Sequence, residues 1–147
     1  MRRPRLVLRA PIPPELEIHK ACAALLDRLL LTPWTSTAVG HIELSGAQAA
    51  RFSAVGVKRG WPDILIIFNG LIFGIEIKRE GGKPSRTRIA YTRRGSPRIL
   101  IGQEEQFAIL RKAGMTIGIV TSTTELLAQL RVWGLPLRPH VVNQPSE

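Results

Sequence analysis

The run WPDILIIFNGLIFGIEIK, from Trp61 to Lys78, constrains the fold more than any other part of the chain. An Asn-Gly pair between two apolar, β-branched runs is a strong short-range signal for a tight hairpin, because both central residues of a type I′ turn need positive φ. With Asn69 and Gly70 as the loop, the pairing follows by counting: Phe68 faces Leu71, Leu65 faces Gly74, and Asp63 lands opposite Glu76. Side chains on a strand alternate with a period of two. Lys78 therefore shares the face of Glu76, while Ile64, Ile66, Ile75 and Ile77 point the other way. The hairpin has an apolar face and, at its open end, a charged corner of Asp63, Glu76 and Lys78.

The flanking elements read as an α/β chain. Pro13 and Pro14 introduce a helix over residues 15–31, on which Ile18, Cys22, Leu25 and Leu29 recur at spacings of three and four, the signature of one buried stripe. Residues 32–44 include an edge strand. Ser45 caps a short helix that Gly56 ends. Residues 103–113 form a helix stopped at Gly114, residues 115–120 a buried strand, and Ser122 with Glu125 makes a capping box for a last helix to about Trp133. The expected order of helix, strand, helix, hairpin, helix, strand, helix is an α/β sandwich, a central mixed sheet flanked by helices. The basic, proline-rich residues 1–14 form an arm, residues 15–137 the domain, and residues 138–147 a tail with no evident chemistry.

Composition bounds the function. At 147 residues and 16.3 kDa, the chain fits one core. No apolar run approaches the roughly 20 residues a membrane span needs, and the first residues are too short and interrupted to read as a secretion signal. Cys22 is the sole cysteine, which excludes an internal disulfide framework and a cysteine-rich zinc site. The expected setting is intracellular, with no membrane partner. Twenty-one Lys and Arg against eleven Asp and Glu give a net charge of +10. Such an excess points to a polyanion, most often nucleic acid; the plain alternative is a basic protein that merely stays soluble.

Residues 79–98 concentrate that charge, with Arg79, Lys83, Arg86, Arg88, Arg93, Arg94 and Arg98 against the single acid Glu80. Glycines and prolines punctuate the segment, which reads as a loop or protruding hairpin. Its expected role is to contact DNA phosphates, which positions nucleic acid without reading its sequence. Tyr91 is placed to stack or wedge. A solvated charge run is the alternative.

At the hairpin corner, directly opposed carboxylates would have β-carbons roughly 4.5–5.5 Å apart and would repel. They need a cation. Lys78 could neutralise one, but a divalent metal would satisfy both. Mg²⁺ takes oxygen ligands and keeps waters and phosphate oxygens in its shell, which suits phosphodiester hydrolysis. A bare Gly74 on the same face would allow a ligand close approach, or simply mark a bend. Glu15 extends the inward stripe of the first helix and is the candidate for a third carboxylate, with Glu17, off the stripe, as its alternative. His19 shares a face with Glu15 and could lie near the site. His19 and His41 otherwise read as hydrogen-bonded structural residues, and Trp61 and Trp133 as packing.

These residues resemble the PD-(D/E)XK nuclease pattern, here Pro62-Asp63 and then, after a twelve-residue gap, Glu76-Ile77-Lys78. The surroundings GWPDILII, EIKREGGKPS and QEEQFAILRKAGMTIGIV, with ELEIH upstream, look like the VRR-NUC branch of that superfamily. The resemblance implies a restriction-endonuclease-like core. It implies that Asp63, Glu76 and the backbone carbonyl of Ile77 bind Mg²⁺ or Mn²⁺, supported by Glu15. Lys78 would help activate the water, and Gln103 matches a recurring family glutamine. It further implies a structure-selective DNA endonuclease, a homodimer cutting four-way junctions or flaps, in the cytoplasm of a bacterial or phage-infected cell. About twenty residues between Lys83 and Gln103 depart from the pattern, where many members pass directly into the glutamine helix. The competing readings are a non-catalytic nucleic-acid-binding module on the same fold and a sequence-specific restriction-type nuclease.

Overall fold

The computed structural model of the chain describes residues 13–37 and 45–139. Its elements run α1 (Glu15–Leu29), β1 (Trp34–Ser36), α2 (Gly46–Ala54), β2 (Ile64–Phe68), β3 (Leu71–Ile77), β4 (Arg88–Tyr91), β5 (Pro97–Leu100), α3 (Gln103–Lys112), β6 (Thr116–Val120) and α4 (Thr123–Val132). The fold is α/β, with a four-stranded sheet in the order β1-β2-β3-β6 and a separate two-stranded sheet, β4-β5. The main sheet is mixed: β1, β2 and β3 pair antiparallel, while β3 and β6 are parallel. Most of residues 1–14, His41, and nearly all of the tail lie outside the described residues.

The Asn-Gly turn forms as the residue types require. Asn69 has φ 49° and Gly70 φ 73°, both in the left-handed region. Phe68 pairs with Leu71 and Leu65 with Gly74, the expected register. One face of this hairpin carries Ile64, Ile66, Phe73, Ile75 and Ile77, all buried in the main core against Ile18, Cys22, Leu26 and Leu29 of α1 and Leu126 and Leu130 of α4. The other face packs Leu65, with Ile117 and Met115, against Phe107 and Leu110 of α3. Burial at this density drives the Cys22 thiol up to about 11, leaving it an inert core side chain.

Helix boundaries depart from the sequence expectation where distant backbone competes. The first helix stops at Leu29, not residue 31, because Leu30 turns extended and bridges Leu137. The amide of Arg138 also donates to Leu29 O at 2.7 Å. At α4, Ser122 Oγ accepts from Glu125 N at 3.1 Å, but the reciprocal bond of a capping box is missing. The Glu125 carboxylate takes the amide of Thr121 instead, at 2.6 Å. The complete box sits at α2, where Ser45 and Gln48 satisfy each other's amides. That helix has no buried residue. Among the described residues, no helix is long and apolar enough to cross a membrane.

Candidate metal and phosphodiester site

Glu76 lies on the α3 side of β3 and is only 1% exposed. A carboxylate in that position is costly unless its oxygens are occupied. Oε1 is: it meets the Lys78 ammonium at 2.7 Å and accepts from Gln103 Nε2 at 2.6 Å. Oε2 is equally buried and, among the described residues, accepts no hydrogen bond. Burial, and after it the charge of Asp63, push the Glu76 carboxyl above the ordinary carboxylate range, while Lys78 and Gln103 pull it back.

Asp63 reaches this corner by a route the register did not foresee. The ladder ends at Ile64–Ile75, one rung before the expected Asp63–Glu76 opposition. The backbone there is drawn toward β1: Thr37 N donates to Asp63 O at 2.8 Å, Ser36 Oγ donates to the same carbonyl at 3.2 Å, and Thr37 Oγ1 donates to Pro62 O. Asp63 Oδ2 then accepts the amide of Ile77 at 2.8 Å, docking its carboxylate onto the β3 end beside Glu76. The two acids are thus brought together by a side chain folding across, and not by cross-strand pairing.

Gly74 and His19 also differ from expectation. A Cβ on Gly74 would come within 2.6 Å of Pro62 Cγ and 3.1 Å of Met115 Sδ, so the bare face of Gly74 is filled by Pro62 and Met115 and is not open to a ligand. His19 is buried and its Nε2 lies 3.1 Å from Ser36 Oγ. It braces the Asp63 backbone through Ser36, a supporting role in the frame of the corner.

Of the two helix-start acids, Glu15 faces the corner. Its Oε1 is 3.5 Å from the amide of Arg79, the residue after Lys78. Glu17 is exposed and pairs with Lys20 at 3.1 Å. Lys78 itself is held by its amide to Val120 O at 3.0 Å, which fixes its root against β6.

Gln103 sits at the first position of α3, whose N-cap, Gly102, offers no side chain. Ser85 supplies the missing acceptors: its Oγ takes Gln103 N and its carbonyl takes Glu104 N, each at 3.1 Å. Thr87 Oγ1 accepts from Gly102 N at 3.0 Å and donates to Glu105 at 2.5 Å. Gly102 is required here, since a Cβ would lie 2.2 Å from the Arg86 backbone. The arginine segment therefore leaves and re-enters the body at one clasped point. Gln103 also accepts from Ser85 N at 3.3 Å, so one amide links the stem of the arginine segment to Glu76. Sequence reasoning misses both Ser85 and Thr87; a helix start preceded by glycine, with no capping side chain, is the signal that could have found them.

The arginine segment is a hairpin, β4-β5, with Ile89 opposite Ile99 and Ala90 opposite Arg98. Arg79, Lys83, Arg86, Arg88, Arg93, Arg94 and Arg98 are all exposed. Arg86 reaches Glu104 at 3.5 Å; among the described residues the other six make no ion pair.

A divalent ion would find hard oxygen donors at the corner: the Asp63 carboxylate, the Ile77 carbonyl and Glu76, whose buried, unsatisfied Oε2 is the observation that fits a cation. Among the described residues, no three Asp, Glu, His or Cys side chains converge into a ready-made metal cluster. Solvent and substrate oxygens would have to complete a coordination shell. Among known proteins, no family model, curated sequence or solved structure matches this chain.

Proposed function

We propose that this chain is a metal-dependent DNA endonuclease of the VRR-NUC kind, on a PD-(D/E)XK core, selective for branched DNA. The observation that carries the reading is the buried corner where Asp63, Glu76 and Lys78 meet with Glu76 Oε2 unsatisfied. Asp63, Glu76 and the Ile77 carbonyl would hold Mg²⁺ or Mn²⁺, with Glu15 supporting from α1. The bound ion supplies polarisation of the phosphodiester and a more acidic water. Lys78, whose Nζ lies 2.7 Å from Glu76, would orient an attacking water and stabilise negative charge developing on the phosphate. Gln103 holds Glu76 Oε1 in place. The exposed cations of 79–98 bind phosphates flanking the cut, and a homodimer acting in the cytoplasm would address two strands of a junction.

The test is incubation with linear duplex, single-stranded, flap and four-way substrates in Mg²⁺, Mn²⁺ or EDTA. Metal-dependent cleavage that prefers branched substrates is the expected result. Lys78→Ala should cut the rate by about 10²–10³-fold while DNA binding persists. Cleavage of no substrate in either metal would sink the enzyme reading. One observation favours a second reading, a non-catalytic DNA-binding module: Lys78 already occupies Glu76 Oε1. In that case Lys78→Ala alters stability alone.

A further inference from the structure

A cleft is lined by Trp61, two residues before Asp63 in the chain. It has a volume of about 310 Å³ and is lined by Thr37, Phe52, Gly56, Val57, Lys58 and Trp61. That volume falls at the small end of ligand clefts, which run roughly 300–1,000 Å³. Phe52, Val57 and Trp61 are 39%, 38% and 37% exposed, so three large apolar side chains border it without closing it. Phe52 comes from α2, the helix with no buried residue, and Gly56 turns the chain back at φ 91° to bring Val57 and Lys58 to the same rim.

We infer that this cleft receives one unpaired base of a nucleic-acid strand. Its lining includes an indole, a phenyl ring and a branched aliphatic group, together with Thr37, Gly56 and Lys58. Those groups suit a flat heteroaromatic ring attached to a phosphate backbone. The surrounding charge agrees: residues 45–62 contain Arg51, Lys58 and Arg59 and no acid. The cleft is also mechanically joined to the corner. Thr37 lines it and holds the Asp63 and Pro62 carbonyls, and Trp61 directly precedes Pro62. A base held against Trp61 would therefore carry its own backbone toward Asp63. A paired base, stacked within a duplex, offers no free face to this site. The cleft thus deepens the nuclease reading, on which its relation to the cut rests, by selecting strands with an unpaired nucleotide.

The test is run in EDTA, so that binding is read without cleavage. A single-stranded oligonucleotide carrying 2-aminopurine and a blunt duplex of the same sequence are titrated with wild type, Trp61→Ala and Phe52→Ala. Wild type should quench the single-stranded probe, and each variant should weaken single-strand affinity by roughly 5- to 150-fold, with the salt slope unchanged because no charge is removed. Duplex affinity should stay as it was. Phe52→Ala keeps the test decisive if Trp61→Ala misfolds, because Phe52 is 39% exposed and lies outside the buried core. Equal losses on single strand and duplex, or no loss, would overturn the proposal. So would a concentration-dependent rise in mass that Phe52→Ala abolishes, with no probe quenching, since the cleft would then serve a protein contact. Quenching without metal-dependent cleavage by wild type would leave the cleft standing and remove the nuclease reading; cleavage without quenching would do the reverse.

Discussion

The hairpin β2-β3 turns on Asn69 and Gly70 inside the sheet, its apolar face against α1 and α4 and the other against α3. The hairpin β4-β5 forms its own small sheet, with Ile89, Tyr91 and Ile99 each more than half exposed. The same motif thus serves opposite ends. In the first, exclusion of water makes each charge consequential: Glu76 must be answered by Lys78 and Gln103, and its Oε2 remains unanswered among the described residues. In the second, charges are cheap and loosely held. The exposed Arg86–Glu104 pair at 3.5 Å is worth about 0–1 kcal/mol, whereas breaking a buried pair such as Lys78–Glu76 costs about 3–5 kcal/mol. Burial converts a charge into chemistry; exposure leaves it as electrostatics.

The contrast can be broken most directly by truncation. Ile75→Ala, at a fully buried position, should lower unfolding free energy by about 2–5 kcal/mol in denaturant titrations. Ile99→Ala, 72% exposed, should stay within about 0.5 kcal/mol of wild type. Comparable losses would mean that β4-β5 is covered in solution and that its apolar face has a partner. A smaller effect is expected from charge reversal at the hairpin tip. Arg93→Glu with Arg94→Glu should leave thermal stability unchanged and reduce the salt slope of DNA binding by about 0.9 for each phosphate no longer neutralised. An unaltered slope would leave β4-β5 as a solvated charge run.

The smallest effect should appear in the pH dependence of the metal-free protein. Because the folded-state pKa of Glu76 is raised above its ordinary value, the folded chain retains this proton longer than the unfolded chain. Its contribution to stability is then fully present below the unfolded value and declines as pH rises through the folded one. Wild type should therefore lose stability relative to Glu76→Gln across that window, and added Mn²⁺ should reverse the loss at the upper end, where the carboxylate is ionised. A difference that stays flat with pH would show that Lys78 and Gln103 fully compensate the burial.

Much of this is legible in one dimension because it rests on local rules. Positive φ at Asn69-Gly70 sets the turn and therefore the register, and spacings of three and four pick out Ile18, Cys22, Leu25 and Leu29; the same stripe prefers Glu15 to Glu17, and Glu15 Oε1 lies 3.5 Å from the Arg79 amide. Gln103 stands out in the sequence only through resemblance, and its bond to Glu76 gives it a physical place.

What the linear order could not contain was competition from residues far along the chain. Thr37 and Ser36 capture the carbonyls of Pro62 and Asp63, so the ladder stops a rung early and Asp63 arrives through its side chain. Pro62 fills the space above Gly74, and Ser85 caps a helix that begins at Gln103. Local preference suffices for the Asn69-Gly70 turn, the pairing from Phe68–Leu71 to Leu65–Gly74 and the buried stripe of α1, because dihedral preference and side-chain period act over a few residues. Where Asp63 points, what closes over Glu76 and where the arginine hairpin is clasped follow only from folding, because they depend on hydrogen bonds and burial between segments far apart in the chain.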